Sequence, residues 1–179
     1  MINSKTAFYV LLYIGAIVPA NLLVTWLGPR ATIPTAFLFI GLDLTSRDHL
    51  HEVWRGRRLF LKMTALVFAG SLLSWLINRR AGPVAAASLT AFAAAGAVDA
   101  FTYHFLHRYS RWIKVNGSNI LSAAADSVIF PTVAFGTLLP WIILGQFAAK
   151  VLGGFIWMLL LDGRRKTVGS FRNRRHGRA

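Results

Sequence analysis

Six apolar stretches of about 20 residues run through this chain of 179 residues, and each is long enough to cross a bilayer as a helix. Apolar residues make up 55% of the chain, charged residues make up 15%, and the mean hydropathy is +0.53. A soluble domain of this size could not bury so much apolar surface. We therefore predict an all-α membrane protein with six transmembrane helices. The predicted spans are 6–27, 34–53, 59–77, 84–104, 119–136 and 138–161.

The chain divides into two predicted parts. Residues 1–162 form the transmembrane domain, and residues 163–179 form an arginine-rich tail without apolar periodicity. The first apolar run is longer than the core of a signal peptide, so we expect it to remain as a helix. No internal repeat is evident. The chain has no cysteine, which excludes disulfides and thiol catalysis.

Basic residues are concentrated on one side of the predicted helices. Sixteen lie before the first span, in the second and fourth loops and the span ends next to them, or in the tail, whereas Arg30, Arg79 and Arg80 occupy the other three loops. This bias predicts a multi-pass protein of the cell's inner membrane with both termini in the cytoplasm. The net charge of +14 therefore indicates contact with anionic lipid, and we do not expect nucleic-acid binding.

Three aspartates and one lysine stand out within the predicted spans: Asp43, Asp99, Asp126 and Lys150. A charge inside the bilayer costs about 3 kcal/mol, so it persists where it meets a partner, water or a ligand. Asp126 and Asp43 lie at about the depth of Lys150 by residue count, and we predict that Lys150 pairs with one of them, most favourably Asp126. The alternative is that the pair has only a structural role, in which each charge neutralises the other and neither binds a ligand.

The fifth span has a polar face. Asn119, Ser122 and Asp126 are spaced at i, i+3 and i+7, so they share one side of a helix. Pro131 follows and should kink the helix by removing a backbone donor to Ser127, as in helices that hold substrate in transporters. The alternative is a helix-packing face on which Asp126 is only salt-bridged.

The remaining polar positions leave alternatives open. Gln146 lies one turn before Lys150 on the sixth span. Asp43 could pair with Arg47 at i+4 on its own helix, and Asp99 lies nearer the cytoplasmic end of its span, where water could solvate it.

No constellation in the sequence indicates catalysis or a cofactor. His104 and His107 share a helix face, but no third metal ligand accompanies them. The chain contains neither a nucleophile-elbow motif nor a phosphate-binding loop. We therefore predict that it is not an enzyme and holds no metal.

The order of these polar motifs resembles the queuosine precursor transporters, a group once labelled vitamin uptake transporters. The similarity extends from about Asn21 to Leu161. The matching motifs are Asp43-Leu44-Thr45 with Arg47, Ala97-Val98-Asp99, Ser118-Asn119-Ile120-Leu121-Ser122, Ala125-Asp126-Ser127, and Lys150.

The resemblance implies a six-helix bundle, similar to the substrate-binding subunits of energy-coupling-factor transporters, that imports 7-deazaguanine bases. A guanine-like edge presents two N–H donors that a carboxylate such as Asp126 can accept, and Asn119, Gln146 or Lys150 could donate to its carbonyl oxygen. The predicted substrate-binding residues are Asp43, Asp99, Asn119, Ser122, Asp126, Gln146 and Lys150.

Two other classes of function remain open from the sequence. The chain could be a substrate-binding subunit that works with a separate ATPase module, because it has no nucleotide-binding loop of its own. It could also be a small membrane enzyme or a structural membrane protein. Charges at mid-depth favour transport, with the bilayer and a purine-like base as partners and a second copy or an ATPase as further candidates.

Overall fold

The computed structural model describes residues 4–54 and 58–156, in which six α-helices follow one another. The helices are α1 (Ser4–Leu27), α2 (Thr32–Val53), α3 (Leu59–Ile77), α4 (Gly82–Phe105), α5 (Arg111–Phe135) and α6 (Pro140–Ile156). The side chains not described within these ranges are those of residues 5, 40–45, 47–49, 51–52, 103, 107, 111–112 and 114–116. The predicted tail, 163–179, and the end of the predicted sixth span lie outside the described residues.

The structure confirms an all-α membrane protein, and no strand occurs in residues 4–54 and 58–156. Four helices, α1, α3, α4 and α5, are both long and apolar enough to cross a bilayer. Helix α2 has the length, but three ionisable residues, Asp43, Arg47 and Asp48, fall within six positions. Helix α6 is apolar over 17 described residues.

The described helix boundaries lie within two residues of the predicted ones except at the start of α5. Helix α5 begins at Arg111, before the predicted start at residue 119, because the Ser110 side chain caps it by accepting a hydrogen bond from the Ile113 amide. It ends at Phe135, and the next residue, Gly136, has a left-handed backbone, at a φ of 69°, that suits glycine. Helix α6 consequently begins at Pro140, where 138 was predicted.

Connections of four or five residues join the helices, so consecutive helices run in opposite directions. The turns 28–31, 78–81 and 136–139 therefore meet on one side of the bundle, which we call the low-charge side. The opposite side, where α1 begins and α2 ends, we call the basic side. The first two turns on the low-charge side each contain a short 3-10 helix, Pro29–Ala31 and Arg79–Ala81.

Two apolar clusters hold the helices together. On the basic side, buried Tyr13, Leu50, Met63 and Val67 join α1, α2 and α3. On the low-charge side, Val24, Ala31 and Val84 are buried against Phe130, Ala134 and Phe135, which joins α1 and α4 to α5. Helix α1 contributes to both clusters and is the centre of the packing.

Small residues allow helix backbones to approach closely. Helix α4 makes its most extensive contact with α5, and its residues Ala87 and Ala91 are fully buried. On α3, a Cβ placed on Gly70 would lie 2.9 Å from Cγ2 of Ile17 on α1. Membrane helices have little hydrophobic drive to associate, so such close packing supplies much of the attraction between them.

A buried hydrogen-bonded cluster links three helices toward the low-charge side. The Asn21 side chain, 3% exposed, donates to Ser74 Oγ on α3 at 3.2 Å and accepts from Ser88 Oγ on α4 at 2.6 Å. Ser74 in turn donates to the Gly70 carbonyl at 2.7 Å. Each member therefore has a partner, as polar groups in an apolar interior require.

Candidate functional site

Lys150 on α6 and Asp126 on α5 form a direct ion pair, which confirms the predicted pairing. Their side chains are only 14% and 27% exposed. An ion pair in such a setting neutralises two charges that would each be costly alone in hydrocarbon. It also fixes α5 against α6 at this level.

The pair lies close to the middle of the membrane. Asp126 is nine residues before the end of α5 and Lys150 is ten residues after the start of α6. At about 1.5 Å per residue, both lie roughly 14 to 15 Å from the low-charge ends of their helices, about half of a 30 Å hydrocarbon core. Asp43 is eleven residues after the start of α2 and reaches about the same depth. Its side chain, and with it the alternative pair with Arg47, lies outside the described part of the structure.

Gln146 is placed one helical turn from Lys150, toward the low-charge side. Its side chain is 4% exposed, and its Oε1 accepts no hydrogen bond from any described residue. A buried acceptor without a donor costs about 1–3 kcal/mol, so a ligand N–H at this position would be stabilised. Gln146, Lys150 and Asp126 lie within about one helical turn of one another in depth, and we call these three residues the polar centre.

Asp99 and Asn119 lie at a different level from this polar centre. Asp99 is 17 residues after the start of α4, and Asn119 is 16 residues before the end of α5. Both therefore lie about 10 Å nearer the basic side than Asp126. The Asn119 side chain is exposed and Asp99 is partly exposed. Ser122 lies between the two levels, and its hydroxyl donates to the Asn119 carbonyl at 3.1 Å. The predicted residues therefore occupy two levels, and this structure does not bring them into one cluster.

Helix α5 continues through Pro131 to Phe135 without interruption. Pro131 is fully buried and cannot donate to the carbonyl of Ser127 one turn earlier. Ser127 is also fully buried, about 100° around the helix from Asp126, and its hydroxyl has no partner among the described residues. The proline thus removes the helical donor to the Ser127 carbonyl, on a different face of α5 from Asp126, without interrupting the helix.

The polar centre can recognise a ligand but has no metal-binding arrangement. Among the described residues, no group of three or more His, Asp or Glu side chains could hold a metal ion. The carboxylate, ammonium and amide of the polar centre can instead accept and donate hydrogen bonds to a polar heterocycle.

A family model described as "Putative vitamin uptake transporter" matches residues 6–161, which covers all six helices from near the start of α1 to beyond the described end of α6. No curated protein and no solved structure matches the chain.

Proposed function

The chain belongs to this vitamin uptake transporter family, and from that premise we propose that it imports a 7-deazaguanine base, a queuosine precursor, through the polar centre between α5 and α6. A multi-pass membrane protein of a transporter family is expected to hold a small molecule near mid-membrane. We further propose that residues 1–162 form the transporting domain and that both termini are cytoplasmic.

The observation that carries the proposal is the ion pair of Asp126 and Lys150 at mid-depth. A carboxylate has about four acceptor positions, so Asp126 can keep Lys150 and still accept two N–H groups from the edge of a guanine-like base. Charge-assisted bonds of this kind are short and selective for that edge. The paired lysine keeps the empty site electrically neutral, which lets it exist in hydrocarbon between transport cycles.

Gln146 gives the site a second contact. Its buried Oε1 can accept an N–H from the pyrrole part of the base, or its amide can donate to the carbonyl oxygen. Asp43, at the same depth on α2, is proposed to complete the site from a third helix. Asp99, Ser122 and Asn119 are proposed to lie on the route between this site and the basic side.

The test is uptake of a labelled 7-deazaguanine base at matched membrane abundance, with guanine as competitor. Asp126→Asn exchanges an acceptor oxygen for a donor amide, so both N–H donors of the base can no longer be accepted. The loss of charged hydrogen bonds, at about 1.5–3 kcal/mol each, should lower uptake at least roughly tenfold. Ser127→Ala, on another face of α5, is the matched control and should retain uptake.

Two results would overturn the proposal. Equal uptake by Asp126→Asn and the parent would remove Asp126 from base recognition. Parent uptake that appears only when an ATPase module is co-expressed would reassign the chain as a binding subunit of a larger importer.

A further inference from the structure

The two hairpins α1–α2 and α3–α4 contain the same turn. Each first helix has Trp-Leu in its last turn, at 26–27 and at 75–76, and each turn closes with Arg-Ala, at 30–31 and at 80–81. In both turns the alanine amide donates to the carbonyl three residues earlier, at 3.1 and 2.8 Å. Both alanines are buried, at 6% and 0% exposure. A similar turn is therefore built twice on the low-charge side.

Each hairpin also contains an open apolar groove between its two helices, just below the turn. The groove of the first hairpin has a volume of about 400 Å³ and that of the second about 260 Å³. The first is lined by Leu23, Leu27, Pro34 and Leu38, and the second by Phe68, Leu72, Trp75, Ala86 and Leu89. Both open outward from the bundle, where acyl chains of the bilayer surround a membrane protein.

An arginine lies at the mouth of each groove. Arg30 itself lines the first groove. In the second hairpin, the guanidinium carbon of Arg79 lies 4.0 Å from the ring centroid of Trp75, which lines the groove. A guanidinium stacked on an aromatic face keeps its N–H edges available for two parallel bonds to a phosphate.

On the low-charge side, arginines occur only in the turns next to the two grooves. The low-charge side has three basic residues, Arg30, Arg79 and Arg80, against sixteen in the segments assigned to the other side. All three belong to the two turns that close the grooves, and the third turn, 136–139, has none. Because the charge bias disfavours basic residues on this side, three arginines placed in the two groove turns are well suited to bind an anionic group.

We propose that each groove binds an anionic phospholipid, with one acyl chain between the two helices and the phosphate held by the arginine at the mouth. Charge complementarity selects the anionic head group, and the apolar walls exclude a free anion as the sole occupant. In the second groove, the hydroxyl of Ser71 is buried, has no partner among the described residues, and lines the wall. It gives that groove a hydrogen-bond donor suited to an ester carbonyl of the lipid.

The site is independent of the transport site. The polar centre lies between α5 and α6, whereas the grooves lie within the first two hairpins. Bound lipid would brace α1 against α2 and α3 against α4 without touching Asp126 or Lys150. Lipid binding and base uptake can therefore be measured separately.

The experiment is native mass spectrometry of the full chain in detergent, titrated with phosphatidylglycerol or phosphatidylcholine of equal chain length. We expect two tight phosphatidylglycerol sites. Arg30→Gln and Arg79→Gln should each weaken one site about fivefold, the equivalent of about 1 kcal/mol per charge near a membrane surface. Arg108→Gln, an exposed arginine in a 3-10 turn on the basic side, is the matched control and should change neither site.

A second variant tests the apolar part of the groove. Ala86 is exposed in the groove of the second hairpin, so Ala86→Phe should fill it and remove one bound lipid while leaving Arg79 in place. Glycerol phosphate, which carries the head-group charge without a chain, should not displace the lipid. Equal affinity for phosphatidylcholine, an equal effect of Arg108→Gln, or full binding by Ala86→Phe would each overturn the proposal. Unchanged melting temperatures of the variants would show that they remain folded.

Discussion

Lys150 and Asp126, 24 residues apart in sequence, form an ion pair between α6 and α5 at roughly half the depth of the membrane. The two helices run in opposite directions from the turn 136–139, which places residues equally distant from that turn beside each other. The pair is therefore both the polar centre of the proposed transport site and a contact that fixes the register of the last hairpin.

Removing either partner alone should reduce the amount of folded protein. Breaking a buried pair by removing one partner costs about 3–5 kcal/mol, and the partial exposure of this pair, 14% and 27%, lowers that figure. Lys150→Met and Asp126→Asn should each lower the yield of monodisperse protein, and the double variant should recover part of the loss. Fluorescence-detected size-exclusion chromatography measures this. If the double variant shows the sum of the two losses, the residues do not stabilise each other.

The charge bias predicts that the low-charge side faces away from the cytoplasm. Reporter fusions after Arg30, Arg80 and Thr137 should be active outside the cell, and fusions after Arg58 and Arg108 should be active inside. Paired reporters, one active only on each side, provide the control. A consistent reversal would contradict the proposed orientation and assign the grooves of the first two hairpins to the cytoplasmic leaflet.

The parts of the site that the sequence predicts are those that depend on depth alone. Lys150 and Asp126 could be paired from the sequence because an isolated charge in hydrocarbon needs a counter-charge, and few candidates share its level. The different surroundings of Asp126 and Asn119 do not follow from the sequence. A spacing of i to i+7 places both residues on one face of the helix, but it does not show which neighbouring helix each residue meets.

The buried cluster around Asn21 could not be predicted for a different reason. Its partners Ser74 and Ser88 are 53 and 67 residues away, and their meeting depends on how three helices are rotated about their axes. Helical periodicity specifies a face of one helix but not the face of the neighbour that packs against it. The repeated turn does not register as a sequence repeat of fixed period, because Trp26 and Trp75 differ by 49 positions, whereas Arg30 and Arg80 differ by 50.

Asn21 should be important for stability. Asn21→Ala removes two interhelical hydrogen bonds and leaves the hydroxyl of Ser88 without its acceptor. Interhelical bonds in membranes contribute about 0.6 kcal/mol on average and up to about 1.7 kcal/mol, so we expect a loss of roughly 1–3 kcal/mol. Thermal unfolding in detergent measures it. Thr90→Ala, which removes only bonds to carbonyls of its own helix, should have a much smaller effect; an equal effect would show that the cluster is not stabilising.

Gly70 should tolerate alanine poorly. A Cβ there would lie 2.9 Å from Cγ2 and 3.1 Å from Cβ of Ile17, whose branched side chain has little freedom to move in a helix. Overpacking of this kind typically costs about 1–3 kcal/mol. Gly70→Ala should lower the melting temperature, and Ile17→Leu, which removes the branch at Cβ, should restore part of it.

The control for Gly70→Ala is Gly15→Ala on α1. A Cβ at Gly15 meets nothing within 4 Å, and alanine favours the helix over glycine by up to about 1 kcal/mol. Gly15→Ala should therefore leave stability unchanged or raise it. If both glycine variants behave alike, close packing between α1 and α3 is not what requires glycine at residue 70.

A substitution of Gln146 can show whether its side chain contacts the ligand or only packs between helices. Gln146→Leu keeps a side chain of similar size and removes a buried oxygen that has no donor among the described residues, so stability should stay the same or rise. If the amide binds the base, uptake of a labelled 7-deazaguanine should nevertheless fall roughly two- to tenfold, the equivalent of one hydrogen bond of about 0.5–1.5 kcal/mol.

Thr64→Val is the matched control for Gln146→Leu. It also removes a buried oxygen without a partner among the described residues, but on α3, outside the hairpin that contains the ion pair. Both variants should melt at or above the parent temperature, and only Gln146→Leu should slow uptake. Uptake at the parent rate by a stable Gln146→Leu variant would show that Gln146 packs the α6 interface and does not contact the base. An equal fall in both variants would indicate a general effect of changing the bundle, because residue 64 contributes nothing to the polar centre of Asp126, Gln146 and Lys150.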